Sequence, residues 1–429
     1  MEAKYFEGKT ILITGVTGFL AKVFLEKLLR VQPKIKKVFL IIRAKNEESL
    51  VERLNDEVFG MHLFQVLRGN FDDLNDFNFH VLAKIIPILG DTSQENLGIA
   101  DSELRNEMCQ EIDIIIHSAG TIKFDERYDV ALGINTFGVL HILNFARKCP
   151  KLEGLLHVST AYVHYPRAGV ILETPFRSGE TLEGAQVPYL SIDTEKKIVE
   201  AKSKELETLN ADSKNATRVM IDLGSERAKQ HGWPNAYTFT KAMGEMILNE
   251  FKEHVRIIII RPTMISSTYK EPFPGWNEGL RTFDSILVAY AKGEIEFLFG
   301  DPRTIADVIP CDMVVNCMMA TVAKHFDLNN KQYDHELISK VLDMLTGEHP
   351  GSWYADAKRS LDRAMTLVLI YGPFAFSKGI FDDFNTQTLR VEMSDGKEDM
   401  SGFDPKSTNW EEYLTNIHFP GLVKYVLLK

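Results

Sequence analysis

Apolar residues in this chain gather in short runs separated by longer stretches of mixed character. T-I-L-I-T at 10–14 leads through G-V-T-G-F-L-A into Val23, Leu25, Leu28 and Leu29. The run reads as a strand and the later spacing as one face of a helix, with a glycine turn between them. Similar runs lie at 38–42, 85–89, 112–117, 155–159 and 255–260. Such runs have no polar face to offer to water, so they predict strands covered on both sides, with the intervening stretches as the covering helices. The predicted fold is α/β, built on a doubly wound parallel sheet. The stretch 165–234 holds no comparable run, and 196–209 is charged and helical, so this part is expected outside the sheet as a helical insertion. Past Ala323 the periodic runs stop. The expected organisation is one domain over 8–323, a connection over 324–357, and a small, mainly helical C-terminal domain over 358–429. An apolar stretch at 364–371 is too short to span a bilayer. It is expected to be a buried helix, with peripheral membrane contact as the alternative.

At 45% hydrophobic and 25% charged, the composition supports a sizeable core. The 49 basic and 60 acidic side chains leave a net charge of −11, so no positive field is present to hold a phosphate backbone, and no nucleic-acid partner is expected. Cys109, Cys149, Cys311 and Cys317 form no C-x-x-C pair, which argues against a disulfide scaffold or a zinc site and suits a reducing compartment. The first eight residues lack the apolar core of a signal peptide, and no run reaches 18 apolar residues. The expected location is cytosolic, or peripheral to the endoplasmic reticulum, and not secreted.

The segment T-G-V-T-G-F-L-A at 14–21 lies where a dinucleotide diphosphate meets free N–H groups and the positive end of a helix, as in Rossmann-type sheets. Gly15 permits the turn, Gly18 close approach, and Ala21 fills the third small position. At the end of the second strand, where an acid marks NAD preference, stand Arg43 and Lys45. Cations suit a 2′-phosphate, so NADPH is the expected cofactor. Asp91, Ala119 and Gly120 fall at further strand ends on the same edge. Tyr237 and Lys241 are four apart, on one face of a helix, so the ammonium and an oxidised nicotinamide would both favour phenolate and draw the phenol down from its usual pKa of about 10. Tyr5/Lys9, Tyr354/Lys358 and Tyr425/Lys429 share the spacing. Only the Tyr237 pair opens a helix that follows the strand end H-V-S-T-A-Y-V at 157–163 and precedes the strand ending in Arg261-Pro262. That order brings Thr160 or Ser159 to the tyrosine; counting back from Val163 favours Thr160, and one residue of slippage reverses the choice. His157 and His164 are expected to pack or hydrogen-bond, with no metal.

T-G-V-T-G-F-L-A, H-S-A-G-T, H-V-S-T-A-Y-V, Y-T-F-T-K and I-I-R-P-T, in this order, resemble the extended short-chain dehydrogenase/reductases. More narrowly, with F-E-G-K-T-I-L-I-T-G, F-P-G-W at 273–276, A-D-V-I-P-C-D-M-V-V-N and K-G-I-F-D-D-F-N-T, the chain resembles plant alcohol-forming fatty acyl-CoA reductases of the male-sterility type. The resemblance implies an NADP-binding reductase domain. Thr14, Gly15, Thr17, Gly18, Phe19 and Leu20 would be cofactor-loop positions, and Arg43 a phosphate contact. Asp91, Ala119, Gly120, Pro262 and Thr263 would line the cofactor, and Thr160, Tyr237 and Lys241 would be the catalytic set, with Ser159 as the neighbour of Thr160. The implied substrate is a long or very long fatty acyl-CoA. Its thioester takes hydride from NADPH and expels CoA, and the aldehyde takes a second hydride to become a primary alcohol. This chain departs from the family by reaching the C-terminal motif early, through D-L-N-N-K-Q-Y-D-H-E-L-I-S-K, which puts part of the acyl-binding side in doubt. Two alternatives stand beside this reading: another extended short-chain chemistry, or a nucleotide-binding homologue with little activity. Oligomeric state is not legible.

Overall fold

The computed structural model describes residues 2–251, 255–295, 301, 304, 306–326, 338–339, 374–375, 378–394 and 402–428. Along the chain its strands are β1 (Thr10–Thr14), β2 (Lys37–Ile42), β3 (Ile85–Leu89), β4 (Ile114–His117), β5 (Gly154–Val158), β6 (Gly169–Ile171), β7 (Ile257–Ile260), β8 (Met264–Ser266), β9 (Val308–Pro310), β10 (Ile338–Ser339) and β11 (Gly379–Phe381). Seven form one sheet in the order β10-β7-β5-β4-β1-β2-β3, parallel throughout. The winding reverses between β1 and β4, which opens a crevice at their carboxyl ends.

The helices used below are α1 (Phe19–Val31), α2 (Tyr128–Ala146), α3 (Ile192–Thr208), α4 (Ser213–Gln230), α5 (Ala236–Phe251), α6 (Thr282–Ala291), α7 (Cys311–His325) and α8 (Phe384–Ser394). Strand alternation feeds two cores. Ile11 and Ile13, Ile114 and Ile116, and Ile258 and Ile260 face one side, with Phe24 and Leu28 of α1 and Val315 and Met319 of α7. Leu12, Ile115 and Ile259 face the other, with Val139, Ile142 and Leu143 of α2. The uniformly apolar strands predicted this double burial. By length and composition α2 alone among the described residues could cross a bilayer, yet 56% of its apolar window is buried here against the sheet. The four cysteines are free thiols.

The segment after β5 carries α3 and α4, clear of the main sheet. It is pinned to α2 by a buried carboxylate: the Tyr128 hydroxyl donates to Glu195 at 2.8 Å, and Arg227 Nε donates at 3.0 Å. Burial pushes the Glu195 carboxyl up, but its bonds with His231, Arg227 and Tyr128 outweigh this and hold it at about 2. The expectation that strands end at Ala323 is corrected. β10 joins the main sheet beside β7, and β11 pairs with β6. Strands of two and three residues leave no periodic trace, because their stability comes from the partner. The 364–371 run lies outside the described residues.

Residues 402–428 dock through a buried polar latch. The Tyr413 hydroxyl donates to the Ser267 carbonyl at 2.8 Å, and His418 bridges Ser267 Oγ (3.0 Å, Nδ1) and Asp284 Oδ1 (2.9 Å, Nε2). Ser267, Asp284 and His418 are all buried. Asp284 Oδ2 also accepts from Asn277 at 3.1 Å. We expect His418→Ala to lower unfolding free energy by about 1–3 kcal/mol, because it strips a buried carboxylate of a partner. Urea titration checks this; an unchanged midpoint would show that the latch holds nothing.

Candidate active site

The crevice floor begins at Gly15. Its φ is +76°, and a Cβ there would meet the Ala119 backbone nitrogen at 2.7 Å, so only glycine lets β1 turn against the end of β4. The Thr14 side chain ties the same two ends: its hydroxyl shares a 2.8 Å hydrogen bond with His117 Nδ1 and accepts from Ala119 N at 3.1 Å. Thr14 thus braces the site, with its hydroxyl engaged inside the protein. Gly18 N donates to Gly15 O at 2.9 Å, and Gly18 caps α1 with no side-chain bond, which leaves the first N–H groups of the helix open to an anion. Thr17 is half-buried and Gly18 exposed, while Phe19 and Leu20 sit mostly under cover.

Arg43 is exposed at the end of β2, and its side chain makes no hydrogen bond among the described residues. Asp91 closes its own turn, with Oδ1 accepting from Ser93 N at 2.9 Å and Ser93 Oγ at 2.8 Å. Ala119 and Gly120 border the crevice opposite the glycine loop, and a Cβ on Gly120 would meet Lys241 Nζ at 3.1 Å.

Asn235 caps α5, accepting from Thr238 N at 2.9 Å, and so places Tyr237 and Lys241 in the first two turns. Lys241 Nζ donates to the Val158 carbonyl at 2.9 Å, and burial draws its pKa down to about 8 against the pull of Glu245. Tyr237 is half-buried. Desolvation pushes its phenol up to about 12, with a hydrogen bond to Thr160 pulling the other way. The expected lowering by Lys241 is therefore corrected for the protein alone: the ammonium is spent on a carbonyl, and desolvation prevails. Such a phenol keeps its proton at neutral pH and is an acid in waiting.

The neighbouring hydroxyls separate cleanly. Ser159 Oγ donates to buried Glu245, which Arg261 grips through Nε at 3.0 Å and Nη2 at 2.5 Å. Thr160 is the one beside Tyr237, its Oγ1 also accepting from Tyr162 N at 3.3 Å. Pro262 O accepts from Ala161 N at 3.0 Å, holding this turn to the end of β7, and Thr263 follows, buried.

Some residues in the site had no sequence signal. Asn135, in α2, accepts from Thr121 N at 3.0 Å and donates to Thr121 O at 3.0 Å and Thr240 Oγ1 at 3.1 Å, fastening the Gly120 loop to α5. Phe124 stacks on Tyr237 at 5.7 Å, and Phe374, far along the chain, lies 5.5 Å from Phe124 and 5.0 Å from Tyr165. These rings build an apolar wall beside the phenol. His164 Nε2 bonds Thr174 O at 2.8 Å, and its ring stacks on Phe176. No cluster of three metal-ligating side chains occurs among the described residues. The Ser267–His418–Asp284 row has the residues of a hydrolytic triad, but its imidazole is reversed, with Nδ1 toward serine, and the serine is fully buried. It is a latch.

An open helix end, a glycine cradle, a Tyr–Lys pair and a hydroxyl meet at one sheet edge; together they define a nucleotide-dependent reductase of Rossmann type. Residues 13–318 match an NAD-binding family described as male sterility protein, and 331–429 match a second family of the same description. The chain is 43% identical to probable fatty acyl-CoA reductase 4 of Arabidopsis thaliana, covering 99% of each, and 40% identical to the alcohol-forming fatty acyl-CoA reductase of Simmondsia chinensis, covering 99% of this chain and 98% of that one. It belongs to the fatty acyl-CoA reductase family. The fold is that of the terminal R domain from the myxalamid PKS-NRPS biosynthetic pathway, with a TM-score of 0.58 at 17% identity over 99% of this chain and 92% of that one.

His117 and His157 stack at 5.2 Å beneath Lys241, fully buried. Desolvation and the Lys241 charge hold His117 at about 3 and His157 well below its ordinary value. The unfolded chain takes protons near pH 6.5 that the folded chain refuses until about pH 3, so these residues make stability fall as pH drops across that window, by on the order of 1.4 kcal/mol per unit per histidine. Unfolding midpoints at pH 7, 5 and 4 should fall more steeply in the parent than in His157→Phe. Parallel curves would refute the assignment.

Proposed function

We propose that this protein reduces long or very long fatty acyl-CoA to the primary alcohol through an aldehyde, with NADPH as the cofactor. The observation that carries this reading is Thr160 and a protonated Tyr237 set together beside an apolar aromatic wall. Gly15 and the open start of α1 fit a dinucleotide diphosphate, and Arg43 fits a 2′-phosphate. When bound, the dinucleotide supplies the hydride. The chain's own residues manage charge. As negative charge builds on the thioester or aldehyde oxygen, the Thr160 hydroxyl donates a hydrogen bond and the Tyr237 hydroxyl gives up its proton. Lys241 holds its positive charge close by, which eases loss of that proton at the moment it is needed. Phe124, Phe374 and Tyr165 exclude water and offer apolar surface to the acyl chain next to its carbonyl.

Incubation with NADPH and acyl-CoAs of increasing length, followed by lipid analysis, tests the activity directly. Tyr237→Phe should cut turnover by about 10² to 10⁴ while leaving NADPH affinity in place. Thr160→Val should also lose turnover. Ser159→Ala should keep kcat and lose stability, since its hydroxyl serves Glu245. Equal kinetic losses in the two hydroxyl variants would sink the choice of Thr160.

A separate titration addresses the cofactor. Arg43→Asp replaces attraction with repulsion, so NADPH binding should weaken while NADH binding holds. Equal losses for both would remove Arg43 from the 2′-phosphate.

A further inference from the structure

Arg281 is a cation in a place that already leans positive. Its guanidinium lies 4.1 Å from the centre of the Phe19 ring, and Phe19 is the first residue of α1, whose N–H groups open onto the crevice. The other aromatic neighbour, Trp276, stacks on Phe19 at 5.1 Å and 22°. Two acids lie three residues away from Arg281 and both are engaged: the oxygens of Glu278 accept from the buried Lys22 Nζ, at 2.7 and 2.9 Å, and those of Asp284 meet Asn277 and His418. The Arg281 side chain makes a single hydrogen bond among the described residues, a long 3.4 Å contact from Nη1 to Asn277 Oδ1. A five-donor fork is thus held largely out of water with most of its donors unspent. Burial draws its pKa down, outweighing the nearby carboxylates. A helix N-terminus and a guanidinium this weakly compensated repel one another unless an anion comes between them.

We propose that Arg281 is a ligand of the diphosphate of the dinucleotide cofactor, closing from outside the cradle that Gly15, Gly18 and the start of α1 form from below. The proposal rests on the cofactor reading given above. Lys22 serves Glu278 and Lys241 serves the Val158 carbonyl, while Arg43, whose side chain also makes no hydrogen bond among the described residues, stands apart at the end of β2. The ring of Phe19 fixes the guanidinium plane before the anion arrives, so little side-chain freedom is lost on binding. Asn277 sets the fork from one side, and Asn277 is tied through Asp284 to His418. The C-terminal segment therefore helps to set Asn277 and, through it, Arg281.

Arg281→Met keeps the apolar stem and removes the charge; Arg281→Lys keeps the charge and removes the fork. Calorimetric titration with NADPH, NADH and coenzyme A, with melting temperatures in the absence of nucleotide, decides the matter. Arg281→Met should weaken NADPH and NADH alike, by about 10- to 100-fold, and the difference from the parent should shrink as salt rises. Arg281→Lys should fall between the two. Without nucleotide, Arg281→Met should melt at the parent temperature or above it, because a partly desolvated and poorly compensated charge has gone. A lower melting temperature with unchanged dinucleotide affinity would make Arg281 a structural stacking residue and overturn the proposal. Loss confined to NADPH would assign it to the 2′-phosphate, and loss confined to coenzyme A would assign it to the substrate; both overturn it. A parent that binds neither dinucleotide would overturn the cofactor reading itself, and this proposal with it.

Discussion

A buried ammonium is the constraint around which this centre is arranged. Lys241 is 4% exposed, and its charge must be tolerated where water is scarce. The Val158 carbonyl accepts one of its protons, and Glu245 lies one turn further along α5. Glu245 is itself balanced by Arg261, so the ammonium is only partly compensated. The consequences spread outward. His117 and His157 beneath it are held toward the neutral form, a Cβ on Gly120 would press on the Lys241 ammonium and the Asn135 amide, and Asn135 ties the Gly120 loop to α5.

Much of the sheet was legible because its strands are apolar on both faces. Ile11, Leu12 and Ile13 feed alternate cores, and the same is true of β4 and β7, so each run announces burial without alternation. β10 and β11 were not legible: two or three residues carry no period, and each exists through its pairing with a strand more than 70 residues away.

The site divides in the same way. Gly15 and the Tyr237–Lys241 pair are local patterns, one a turn with positive φ and the other a helical spacing, so sequence order sufficed to find them. Thr160 was favoured over Ser159 only by a count back from Val163, since the two are adjacent and chemically alike; the side to which each points depends on where β5 ends, and Glu245 claims the first. Asn135, Phe374 and Arg281 act through neighbours remote in the chain, and nothing in their flanks marks them. The phenol's pKa in the protein alone was not legible for a related reason. Spacing gives proximity to a charge, but desolvation depends on everything packed around the ring.

The relation between the chain's length and its chemistry follows from where the C-terminal residues touch. The alignment with the Arabidopsis relative runs over 490 positions against 429 residues here, so tens of residues found there have no counterpart in this chain. Yet the far end still reaches the centre. Phe374 meets Phe124 beside Tyr237, β11 pairs with β6, and His418 closes on Ser267 and Asp284. Proton delivery needs only the groups within hydrogen-bond reach of the carbonyl, and those are assembled by β5, α5 and these contacts. Affinity for a long acyl chain accumulates differently, at roughly 0.8 kcal/mol for each methylene covered, and can be lost at the tail without disturbing the head. Chain-length preference and the chemical step thus rest on different physical terms, apolar area covered along the chain for the first and hydrogen bonds at the carbonyl for the second.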